Sequence, residues 1–214
     1  MWRIACLALA LMLAAPAVYA DQTIGFRIGD QNWQVPVRKG FCATDDPRLS
    51  EMAHDSLSGL IAVLAMHVHC KDLEQFKARG EPEKLRLHFW GVMVDNGRPM
   101  LASPDMLNEL EALRVLVREG SDQEYRAMAN GIQQTMRRGG TSMHCLSLDT
   151  VDDILGGKLC TSGPDGFKID LAGALRPLQG VVAIAVVMHV PGGGPFTPDF
   201  SQAAAMLTSI RSRQ

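Results

Sequence analysis

Apolar and polar positions alternate along several stretches of the chain with the period of a β-strand. In Thr23–Ile28 the apolar set is Ile24, Phe26 and Ile28, and in Asn32–Val37 it is Trp33, Val35 and Val37. Gly29-Asp30-Gln31 between them has turn chemistry, so the pattern predicts a hairpin. Pro36 cannot donate to a ladder and restricts the second strand to an edge or to a place where its N–H is not needed. In Leu85–Val94, Leu87, Phe89 and Met93 fall with Leu85 on one face, and Arg86, His88 and Trp90 on the other. Shorter strands are expected near Met143–Leu148 and over residues 166–171, and Val181–Val190 is the most strand-like run of all. The apolar run from Leu60 to Cys70 reads as a buried strand, with a helix as the alternative.

A period near 3.6 marks the helices. The first opens at Asp46 with Pro47 in its first turn, places Leu49, Met52, Ala53, Leu57 and Leu60 on one face, and ends near Gly59. Ser103 and Pro104 begin a second, with a stripe of Leu107, Leu110, Leu113 and Leu116. Ser121-x-x-Glu124 is a capping box that begins a third, carrying Tyr125, Met128, Ala129, Ile132 and Met136 up to Gly139-Gly140. The last is capped by Thr197-Pro198 and buries Phe200, Ala203, Leu207 and Ile210. Strands and helices interleave without strict alternation, which predicts an α+β fold: one mostly antiparallel sheet packed with helices.

The first twenty residues change the picture of where this protein works. Arg3 precedes an apolar stretch of about a dozen residues, and Val18 and Ala20 sit where a signal peptidase inspects the chain. Residues 1–20 are therefore read as a cleaved export signal and 21–214 as a single domain in the periplasm or outside the cell. A membrane anchor would need roughly 20 apolar residues. The mature chain keeps 20 of the 21 basic residues against 23 acidic ones, a net charge of −3. That balance offers nothing to nucleic acid or anionic lipid by charge alone.

Cleavage removes Cys6 and leaves Cys42, Cys70, Cys145 and Cys160, an even set that reads as two disulfides in an oxidising compartment. Four cysteines allow three pairings. If the chain runs from a strand near Cys42 through the first helix to a parallel strand ending at Cys70, both thiols reach one end of the sheet, which favours Cys42–Cys70. Cys145–Cys160 would then close a local hairpin. Each bridge would contribute about 3 kcal/mol.

Histidine supplies the candidate chemistry. His67-x-His69 on a strand projects both rings from one face, a start for copper or zinc if His88, His144 or His189 completes it. Three Met-His pairs, at 66–67, 143–144 and 188–189, fit a plainer pattern: a core-facing Met beside a satisfied or outward-facing His, because adjacent strand residues point apart. Asp149, Asp152 and Asp153 lack the spacing of a calcium loop and read as a turn. Gly192–Gly194 lacks a following Lys-Ser/Thr and reads as a hinge, not a phosphate cradle. No G-x-S-x-G or H-E-x-x-H occurs, which leaves a hydrolase only as a dispersed site using a nucleophile with His54 or His144. Trp33, Phe41 and Trp90 suit either a ligand cleft or the core.

The segment Val35-Pro36-Val37-Arg38-Lys39-Gly40-Phe41-Cys42, an early helix, central strands and a last helix after Thr197-Pro198-Asp199-Phe200 together resemble PsbP/Mog1-like α/β/α domains. The V-P-x-x-x-G-F-C opening, with a later strand-terminal cysteine, is similar to small exported proteins of Gram-negative bacteria. These resemblances imply an accessory or binding module of the envelope, without catalytic residues to transfer and with no required cofactor. The copper or zinc site and the dispersed hydrolase are the alternatives.

Overall fold

The computed structural model describes residues 23–28, 30–56, 60–80, 84–138, 142–162, 168–190 and 198–212. The export signal, Gly29, Leu57, Gly59, Gly139-Gly140, the Gly192–Gly194 stretch and Thr197 lie outside them. Strands β1 (Thr23–Ile28) and β2 (Gln31–Pro36) form the expected hairpin, with Phe26 opposite Trp33 and Ile24 opposite Val35. A main antiparallel sheet follows in the order β3-β4-β5-β10-β9-β8-β7, with β6 on β5. Its strands are β3 (Phe41–Ala43), β4 (Ile61–His69), β5 (Leu85–Asp95), β6 (Arg98–Pro99), β7 (Ser142–Val151), β8 (Ile154–Ser162), β9 (Lys168–Leu178) and β10 (Val181–Val190). The helices are α1 (Pro47–Ser56), α2 (Cys70–Arg79), α3 (Pro104–Glu119), α4 (Asp122–Arg138) and α5 (Phe200–Thr208). The α+β class and the antiparallel sheet are those the sequence pattern predicts.

Two-residue alternation settles which side chains share a face, and both faces turn out to be covered. One buries Leu85, Leu87, Phe89, Val186 and Met188 against Leu49 and Ala53 of α1 and Leu73 and Phe76 of α2. Farther along the same face, Val182 and Leu155 meet Leu110 of α3. The opposite face carries Trp90, Ala185, Val187 and Ala174, packed beneath the β1–β2 hairpin and α5. Sheet turns obey local chemistry: Gln179 and Gly180, at φ 51° and 80°, link β9 to β10 in the left-handed geometry of a tight hairpin.

Several sequence expectations need correction. Strand β3 runs antiparallel to β4, with Phe41 opposite His69, so no parallel crossover brings Cys42 to Cys70. The bridge forms all the same, because Cys70 opens α2 directly after β4 and Cys42 lies one residue along β3. The charged stretch after Cys70 is that helix, closed by Gly80 in the left-handed conformation. Of the two places open to Pro36 the second is found: it ends a central strand beyond the reach of a short β11 (Arg211–Ser212), which pairs with Gln34 and Trp33. Leu60 lies beyond α1, which ends at Ser56, and is exposed. On α3 Leu110 is buried, with Met106 and Val117 packed beside it, whereas Leu107 and Leu113 remain 41% and 38% exposed. Asp199, not Thr197-Pro198, caps α5 by accepting from the Ser201 N–H.

Other local signals hold. Ser103 Oγ accepts from Met106 N–H at the start of α3. Ser121 and Glu124 close their capping box reciprocally. Asp152, at φ 51°, makes the Asp-rich turn between β7 and β8, whose directly opposed Cys145 and Cys160 are bridged. Among the described residues no helix is long and apolar enough to cross a membrane.

The bridges should act mainly on the unfolded chain. Replacing Cys42 and Cys70, 28 residues apart, by serine should cost about 3–4 kcal/mol. The same change at Cys145 and Cys160, 15 apart, should cost about 3 kcal/mol. Urea unfolding of the two double variants measures both losses.

Candidate functional site

The hairpin-and-α5 face of the sheet holds most of the polar chemistry. Register puts His67 of β4 opposite His88 of β5, and places Arg86 opposite His189 of β10, which in turn faces Asp170 of β9. His67, His88 and His189 are 0%, 1% and 3% exposed, so the three Met-His pairs do not all place histidine outward. Two of them, at 66–67 and 188–189, set a methionine on one covered face and a histidine on the other. Of the histidines in the three pairs only His144 is exposed, its Nε2 touching the Ser162 hydroxyl near the end of the β7–β8 pair.

His67 meets Trp90 edge-on at 4.6 Å, and His88 stacks on Phe41 at 4.1 Å. Neither nitrogen of His67 has a hydrogen-bond partner among the described residues, nor does Nε2 of His88. Burial in this apolar setting disfavours the imidazolium and lowers the pKa of His67 to about 4. Burial first, then the positive charge of Arg38, brings His88 down to about 3. Both rings are therefore neutral at ordinary pH.

His69 shares the face of His67 but is turned to a different purpose. Arg86 Nη2–H donates to His69 Nδ1 at 2.7 Å, and Arg86 also grips Asp72 through Nε at 2.8 Å and Nη2 at 2.7 Å. A guanidinium can only donate, so Nδ1 accepts and its lone pair is used. Burial and the Arg86 charge lower the His69 pKa, outweighing the nearby Asp72 carboxylate. The Arg86 backbone N–H also donates to Asp72, which pins the start of α2 to β5. Among the described residues no three or more His, Cys, Asp or Glu side chains are grouped as a metal ion requires.

One concave feature of this face is the seam between its two covers; another of similar size lies between α5 and the β7–β8 turn. The hairpin packs toward β4 and α5 lies over β8, β9 and β10, leaving β5 beneath the gap. The resulting groove, of about 470 Å³, has Trp90 and His88 in its floor. Pro36 and Arg38, at the end of β2, form one wall; Gln202, Ala205, Met206 and Ser209 of α5 and its C-cap form the other. Trp90 spans the seam, donating from Nε1 to the Met206 carbonyl at 3.0 Å. Beyond the groove, β11 returns from α5 to pair with β2 and ties the covers together. Arg38 reaches across to Gln202 Oε1 at 3.4 Å.

Of the aromatic residues considered for a cleft, Trp90 lines the groove, Phe41 supports its floor through His88, and Trp33 is core. Neither His54, whose Nδ1 lies 3.0 Å from the Ile61 carbonyl oxygen, nor His144 borders it. Arg38 and the polar residues of α5 carried no sequence signal, since they meet only through a contact spanning 164 positions.

No protein family matches the chain, and no curated protein matches it in sequence. Solved structures similar to this chain include two at low identity. The solution structure of cyanobacterial PsbP (CyanoP) from Synechocystis sp. PCC 6803 has a TM-score of 0.37 and 7% identity, covering 94% of this chain and 98% of that one. LpqN, involved in cell envelope biogenesis of Mycobacterium tuberculosis, has a TM-score of 0.35 and 10% identity, covering 91% and 92%. Likeness at this level leaves the site to be argued from its own residues.

Two predictions follow from the buried polar groups. The folded pKa values of His67 and His88 lie below the unfolded value of about 6.5, so the unfolded chain binds more protons below that pH. Their contribution is complete above pH 6.5 and is lost as pH falls toward 4. Urea unfolding of His67→Leu at pH 7 and pH 4.5 should show about 2 kcal/mol less acid destabilisation than wild type. Asp72→Ala leaves Arg86 without its carboxylate and should cost about 2–3 kcal/mol at pH 7, read in the same way.

Proposed function

We propose that the mature chain is a non-catalytic accessory module of the bacterial periplasm that binds a ligand in the groove between α5 and the end of β2. The two disulfides support an oxidising compartment. The observation that carries the binding role is the composition of the groove: an indole floor, apolar walls, and a few convergent polar groups on rigid elements. Its volume of about 470 Å³ suits a small molecule. The site also sits at the junction of separately packed layers, where the covering elements could adjust to an occupant without disturbing the main sheet.

Filling the groove tests the reading. Ala205 is exposed, so Ala205→Trp should fold normally while occupying the space above Trp90. Compounds that raise the Tm of the mature protein should lose that effect in the variant. Turnover in a broad hydrolase screen, abolished by one side-chain substitution, would contradict the non-catalytic role and favour the dispersed-site alternative.

The copper or zinc alternative, built on His67 and His69, has its own measurement. Elemental analysis of untagged protein after dialysis should find far less than one metal per chain. Stoichiometric metal, lost in the His67→Ala, His69→Ala variant, would replace the groove reading with a metal-binding one.

A further inference from the structure

The groove is asymmetric in charge. Among the described residues that line it, Arg38 is the one that is ionised at neutral pH, since His88 is neutral and no Asp or Glu is present. The Arg38 side chain is exposed, and its described hydrogen bond is the long one to Gln202 Oε1, a neutral acceptor. No carboxylate pairs with it among the described residues. Elsewhere in the protein Arg48 meets Asp46, Arg86 meets Asp72 and Arg114 meets Glu111. Arg38 thus offers a planar fork of donors at the rim of an apolar trough floored by Trp90 and walled by Pro36, Ala205 and Met206.

Resting on the reading of this groove as the ligand site, we propose that it selects small monocarboxylates with an apolar body. The carboxylate is held by the Arg38 guanidinium, with the Gln202 amide turned to donate its N–H. The apolar body lies along the trough against the Trp90 indole. A cationic ligand would meet Arg38 with no opposing charge, and a neutral one would leave the guanidinium without a counter-ion. Selection is therefore by head group, whereas affinity for the body comes from buried apolar surface.

A matched series separates the two contributions: 4-phenylbutyrate, 4-phenylbutanol and 4-phenylbutylamine share one body and differ in the head. Calorimetric titration of the mature, disulfide-intact protein should rank the acid at least 10-fold tighter than the alcohol, with the amine weakest. Arg38→Met should abolish the difference between acid and alcohol while leaving the alcohol's affinity within about 2-fold. Equal binding of all three by wild type, or tightest binding of the amine, would overturn carboxylate selection and leave the groove as a binding site. Acid preference that survives in Arg38→Met would also overturn it, by placing the carboxylate elsewhere. Failure of all three to bind at millimolar concentration would overturn the inference; if compounds of other chemistry still raised the Tm in a way Ala205→Trp abolished, the binding reading itself would stand. Because Arg38 is exposed, the variant should keep the wild-type Tm, and a shared Tm confirms that any loss of selectivity is local.

Discussion

The structure depends on covering a sheet face that is not purely apolar. His67, His88 and His189 sit on the face that also carries Trp90, and all three are buried. An imidazole is tolerated there in its neutral form, and the low pKa values of His67 and His88 express that requirement. The covers are held by long-range ties: the Trp90 indole to the Met206 carbonyl, and β11 to β2. At the ends of β4 and β5, the Asp72–Arg86 pair holds α2 and the Cys42–Cys70 bridge joins α2 to β3. The sheet is thus covered on both faces, and a groove floored by Trp90 lies at the seam between two of the covers.

Much of this was legible in the chain because period and capping are local. Alternation in Leu85–Val94 correctly separates Phe89 from Trp90, and Ser121 with Glu124 marks the start of α4. Alternation cannot say whether a second face meets water or a further layer. The pattern therefore puts Arg86, His88 and Trp90 on one face without showing that the hairpin and α5 cover much of it. The direction of β3 was equally hidden, since three residues carry no orientation and only pairing with β4 supplies one. Spacing gave α3 a stripe of four leucines, yet the sheet edge accepts Leu110 and leaves Leu107 and Leu113 at the surface.

The candidate site was less legible than the fold. Its floor could be named as aromatic, but its walls come from the end of β2 and from α5, brought together only by tertiary packing. The histidines that drew attention in the sequence serve different ends. His69 accepts from Arg86, His67 leans on Trp90, and His88 joins the groove floor. The chemistry of the face is thereby divided between a neutral, buried interior and one cation at the rim. That division suits recognition of a ligand with an apolar body and a single polar end.

A crystallographic fragment screen of the mature chain tests this account most directly, because it asks the molecule where it binds without presuming what. The account predicts that bound fragments concentrate above Trp90, between Pro36 and Met206. Fragments that leave this seam empty and gather elsewhere, for example along the exposed leucines of α3, would contradict it.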